Sequence, residues 1–330
     1  MPQIQLPIIY LLFFASGFAG LVFEIVFCRQ LLRLLGNSSS ANACVFAAFM
    51  SGAALGALLF HKLTSSSNTN FEPRTLLKIY GRLEGILASS AFLLCAFLSA
   101  PAAVLLPRLL AQFLDNPWLC ELSRFAIAFL LLCIPCTAMG AAFMSLNSAL
   151  KHVKEQFAGL YAANTAGAAL ATAVTAFYLL ENFGIQRSGG LAALIYLAIF
   201  LLVEFHVSNF RLPAIQNETL ADSRKQSKTA PFGLSSKLAV GVFFSGFLSF
   251  LLEIVWTRIF ALIFGSSIYS LSVVLLMVLS AVSAASFFCR RLKVEPKNVF
   301  FCTAAAFLAS GISILLCCYF NQPVFHLLFE

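Results

Sequence analysis

Charge is scarce in this sequence. Asp, Glu, Lys and Arg make up 10% of the residues, against 61% hydrophobic, whereas a soluble domain is roughly 25% charged. Soluble proteins need a polar skin, and this chain has too little to provide one, which excludes a water-soluble enzyme or binding module. Histidine is also sparse. His61, His152, His206 and His326 form no cluster with ligand spacing, so no metal or other cofactor is expected. The opening residues MPQIQLP contain no Lys or Arg, and the apolar run behind them is too long for a cleavable leader, so the first helix is expected to be retained. A basic groove for nucleic acid is missing as well: the net charge of +8 comes largely from residues flanking apolar runs.

What the sequence does contain is apolar runs of bilayer length, about 20 residues each. They predict spans at 7–28, 41–61, 77–100, 121–146, 157–180, 189–207, 237–261, 268–289 and 299–320. The expected fold is therefore all-α: a polytopic transmembrane bundle of about nine helices. Between the third and fourth spans, PAAVLLPRLLAQFLDNPWL is half apolar and reads as an interfacial or re-entrant helix. Stretches such as SGAALGALLF and YAANTAGAALATA supply the small residues that let helix backbones approach closely in lipid. Most of the 21 basic residues lie in the loops after even-numbered spans. That bias predicts a cytoplasmic N-terminus, and the oily composition, cysteines without a framework and absence of a targeting sequence point to a bacterial inner membrane. The polar stretch before Lys237 reads as a linker over 208–236, dividing a first six-helix unit (1–207) from a partial second unit (237–330).

A repeat supports that division. SGFAGLVFEIVFCRQLLRLLGNS, from Ser16 to Ser38, returns at an offset of 229 as SGFLSFLLEIVWTRIFALIFGSS, from Ser245 to Ser267. The identities include Glu24 with Glu253, Arg29 with Arg258 and Gly36 with Gly265. Six spans separate the copies, so both are expected to run the same way through the bilayer, as in the parallel repeats of secondary transporters.

The phrase SGF…EIVWTR…GSSIYSLS, with YGRLEG, LLCIPCTAMGAAFMSL and YAANTAGAALATAVTAFYLLENFGI, resembles the membrane portion of the fused major-facilitator/spermidine-synthase family. The resemblance covers most of residues 10–290. It implies a major-facilitator-like, transporter-like protein handling a polyamine or another small metabolite. The alternative is a non-transporting scaffold that anchors a separate aminopropyltransferase-like enzyme. The sequence also departs from the family. The Pro that often follows Met-Gly-Ala-Thr is replaced by AAFM, and QRSGGLAAL heads an apolar helix instead of forming a nucleoside-binding loop after a strand. No enzymatic activity of the chain itself is expected. With about three spans in the second unit, the chain is expected to be either a shortened member or one whose remainder comes from another chain or a homodimer partner, and the other partner is the lipid bilayer.

Charged residues inside apolar runs are the candidate site, since each costs about 2.5–3.5 kcal/mol at the bilayer centre. Within each repeat copy the Arg follows its Glu by five residues, a turn of about 500°, so the two project about 140° apart. Cross-repeat pairing, Glu24 with Arg258 and Glu253 with Arg29, would satisfy all four. The competing expectation is that each Arg snorkels to the interface. Arg82 and Glu84 lie one turn into the third span, where Glu84 would be a natural counter-charge for a cationic substrate. Asn164 and Thr165 form a polar step expected to make an interhelical hydrogen bond. Cys133 and Cys136, in CIPC, read as small apolar fillers beside a kinking Pro135, with thiol exchange as the alternative.

Overall fold

In lipid a chain must satisfy its backbone polar groups internally, and a run of small and apolar residues does so as helix. The computed structural model describes residues 5–36, 38–66, 71–99, 101–113, 115–150, 156–206, 236–265 and 268–289, together with Leu308, Gly311, Ile312 and Tyr319. Every regular element among them is helical. The helices are α1 Gln5–Leu35, α2 Ser39–Ser66, α3 Pro73–Ser99, α4 Pro101–Ala111, α5 Pro117–Ala149 and α6 Gln156–Val174. Then come α7 Gly184–His206, α8 Ser236–Phe264 and α9 Ile268–Cys289. Helix α6 runs on through a π-turn, Thr175–Leu179, and a last α-turn, Leu180–Asn182. Eight of these helices are long and apolar enough to cross a membrane, and α4 is not. The protein is an integral membrane protein. The expected ninth span, 299–320, falls almost wholly outside the described residues.

Helix ends follow local chemistry. Pro73, Pro101 and Pro117 open α3, α4 and α5, where a missing N–H costs nothing. The Asn116 side chain accepts hydrogen bonds from the amides of Trp118 and Leu119, at 3.1 and 3.3 Å, capping α5. Helices α1 and α8 both stop one residue before a glycine with positive φ, Gly36 at 105° and Gly265 at 83°. The helix that follows begins at Ser39 in one case and Ile268 in the other. Each landmark is 229 residues from its counterpart, so the duplication extends to the turn.

The chain clusters into two compact units, one of residues 1–231 and 247–290, the other of 232–246 and 291–330. The described part of the second unit is the start of α8, where the rings of Phe243 and Phe244 meet edge to face at 5.7 Å, and the isolated residues beyond 290. In the first unit α1 is the central helix. From Leu21 to Cys28 every residue is buried, against α3, α5 and α7 residues such as Leu87, Leu132 and Ala193. Helix α1 packs on α6 and α7, α2 on α5, α3 on α5 and α7, and α9 on α6. Small residues set the closest crossings. A Cβ on Gly17 would lie 2.2 Å from the Asn164 carbonyl oxygen, and one on Gly167 2.1 Å from that of Phe14. Gly56 and Gly140 are pressed as tightly onto Thr137 and Ala53 between α2 and α5.

Candidate functional site

The buried stretch of α1 from Leu21 to Cys28 places its one acidic residue inside the bundle. Glu24 is 9% exposed and Glu84, on α3, is 0% exposed. Ser16, two turns before Glu24, donates its hydroxyl to Glu84 Oε1 at 2.6 Å. The other carboxylate oxygen, Oε2, has no hydrogen-bond partner. Two fully buried phenols stand beside the carboxylates, Tyr80 on α3 and Tyr196 on α7. Tyr80 lies close to both Ser16 and Glu84, although no hydrogen bond of good geometry closes on its hydroxyl, and the Tyr196 hydroxyl has none either. Tyr196 is within electrostatic reach of both Glu84 and Glu24. Gly20 makes room for it: a Cβ there would touch the Tyr196 hydroxyl at 3.4 Å.

Glu24 has a charged neighbour, but it is another acid, the half-buried Glu253 on α8. Of the expected crossed pairs, Glu253 with Arg29 forms no ion pair among the described residues, whereas Arg124 with Glu121 does, at 2.5 Å. The helical rotation that separates Glu from Arg explains this. The buried side of α1 carries Glu24, while Arg29 is turned to the exposed side. Arg82 is likewise exposed two residues from buried Glu84, and Arg258 is on the exposed side of α8.

Asn164 and Thr165 also depart from expectation. Thr165 is buried, but its hydroxyl donates within its own helix, to the Tyr161 and Ala162 carbonyls at 2.8 and 3.2 Å. A hydroxyl can reach the carbonyl one turn back without any neighbour, so it does not serve as interhelical glue here. Half-buried Asn164 instead forms the surface against which Gly17 is pressed. Pro135 is accommodated within an unbroken α5 beside buried Cys136, and Cys133 and Cys136 are both free thiols.

Sequence reasoning missed two groups. Tyr80, Tyr196 and Ser16 complete the buried cluster, yet nothing in an apolar helix distinguishes such residues from filler. The second group ties three helix ends together. Arg124 donates to the Leu35 carbonyl at 3.0 Å, and Ser40 donates to Glu121 at 2.8 Å. Here a signal existed, because Glu121 and Arg124 are spaced i, i+3 on the first turns of α5.

A carboxylate in apolar surroundings with no cation beside it must be neutralised, either by a proton or by a bound cation. Among the described residues Glu84 and Glu24 have no such partner, and two buried phenols with unpartnered hydroxyls stand nearby. The arrangement can therefore hold protons or a small organic cation. No family model matches the chain, and neither a curated protein nor a solved structure does.

Proposed function

We propose that this integral membrane protein is transporter-like and moves a small amine, its cationic group neutralised by Glu84 and Glu24. The single observation that carries the reading is Glu84: fully buried, held on one oxygen by Ser16, open on the other, and lacking a counter-cation among the described residues. A buried acid of this kind in a spanning helix is a functional candidate because its insertion cost is otherwise unexplained. The resemblance to the membrane half of the spermidine-synthase fusions narrows the amine to a polyamine, and the duplicated unit agrees with a secondary-transporter plan.

Flux of radiolabelled spermidine and putrescine into proteoliposomes tests the reading. The expected result is saturable uptake that falls at least about tenfold in Glu84→Gln, since removing a charged partner from a buried site costs at least about one tenfold step in binding. Absence of flux from well-folded protein, with co-purification of a soluble aminopropyltransferase, would replace transport with anchoring. Uptake unaffected by Glu84→Gln would remove Glu84 from the path.

A further inference from the structure

A cavity of about 470 Å³ opens where the end of α1 meets the start of α7, lined by Arg29, Arg33, Gly184, Gln186 and Arg187 together with apolar side chains. Arg29 and Arg33 are one turn apart on one face of α1, an i, i+4 like-charge pair that weakens a helix unless something neutralises it. Arg187, from the first turn of α7, adds a third guanidinium to the same rim. None of the three forms an ion pair among the described residues. Of the two acids near them in sequence, Glu24 is buried and Glu181 accepts a hydrogen bond from the Tyr269 hydroxyl. Even counting Glu181, three positive groups face one negative.

The surrounding elements point the same way. The first four residues of α7 all line the cavity, so the positive end of a 23-residue helix adds to the field of the arginines. Helix α1 has 31 residues, a length of about 46 Å against a hydrocarbon core of about 30 Å. Its last two turns, which carry Arg29 and Arg33, therefore reach the headgroup level. A guanidinium fork matches two oxygens of a tetrahedral oxyanion at once, and the cavity is large enough for a phosphate group.

We infer that Arg29, Arg33 and Arg187 form a binding site for a phosphate-type oxyanion. The phosphate comes either from an anionic phospholipid headgroup entering from the interface or from a free phosphate.

The full chain in nanodiscs distinguishes the sources. In one arm, lipid retained by protein from mixed phosphatidylglycerol–phosphatidylcholine discs is measured by native mass spectrometry. In the other, inorganic phosphate is titrated in pure phosphatidylcholine discs and melting is followed. Enrichment of phosphatidylglycerol that disappears in Arg29→Gln/Arg33→Gln/Arg187→Gln supports the site and identifies a lipid. Stabilisation by phosphate that the triple variant loses supports it and identifies a free oxyanion. Either response should weaken by about tenfold for each arginine removed and fall as salt rises. Should the triple variant fail to fold, Arg187→Gln alone, which leaves central helix α1 intact, carries the same expectation. The inference is overturned by no preference in either arm, or by a preference that the glutamine variants keep.

Discussion

At the residue scale the decisive side chain is Glu84, and its state depends on Ser16. Among the described residues the hydroxyl-to-carboxylate bond of 2.6 Å is the only hydrogen bond between side chains that reaches Glu84 with good geometry. Ser16→Ala therefore removes the hydroxyl that donates to a fully buried carboxyl group. The expected loss is about 1–3 kcal/mol of stability, read as a lowered melting midpoint in detergent. Glu84→Gln changes the same contact from the other side, so the double variant should lose less than the sum of the singles. Additive losses would show that the two side chains act independently and that Ser16 has no part in holding the carboxylate. Both members were visible in the sequence, but only one was conspicuous. A Glu in an apolar helix stands out by its insertion cost, whereas Ser16, Tyr80 and Tyr196 matter only through neighbours on other helices. Spacing within one helix does not reveal those neighbours.

At the element scale the sequence was most legible, because bilayer thickness dictates span length and Pro and Gly punctuate the ends. The expected spans at 41–61 and 121–146 became Ser39–Ser66 and Pro117–Ala149. The extra turns are amphipathic ends that a hydropathy reading trims. The half-apolar segment after the third span is the short helix Pro101–Ala111. What spacing did not disclose is which helices touch. SGAALGALLF contains two glycines four apart, Gly52 and Gly56, and signals a close crossing, but the partner, α5, follows only from the folded chain. That crossing makes a testable demand. A Cβ on Gly56 or Gly140 would lie 2.0 Å from a backbone oxygen of the facing helix, and backbone cannot rotate aside. Gly56→Ala and Gly140→Ala should each cost about 1–3 kcal/mol. Gly190→Ala, with nothing within 4 Å of its Cβ, should be neutral or stabilising by up to about 1 kcal/mol. Melting midpoints of the three variants check the ranking, and equal midpoints would mean that α2 and α5 do not cross as described.

At the scale of the whole molecule the argument turns on parity. Among the described residues helix α1 is the first spanning helix and α8 the seventh; on that count six crossings separate their starts, and both copies of the repeat are expected to run in one direction. The count depends on α4. With 11 residues it extends about 16 Å, half the hydrocarbon core, and cannot cross. Were it to cross, everything after it would invert, and the matched ends at Gly36 and Gly265 would open on opposite faces of the membrane. The basic bias of the loops predicts that the face of the N-terminus is cytoplasmic. Reporter fusions then give definite expectations. Fusions ending at Ser66 and His206 should be cytoplasmic, giving fluorescent protein and inactive alkaline phosphatase. Fusions ending at Ala111 and Phe264 should give the reverse. If the Ser66 and Phe264 fusions report the same side, the copies are antiparallel. The duplicated acids Glu24 and Glu253 would then belong to an inverted repeat.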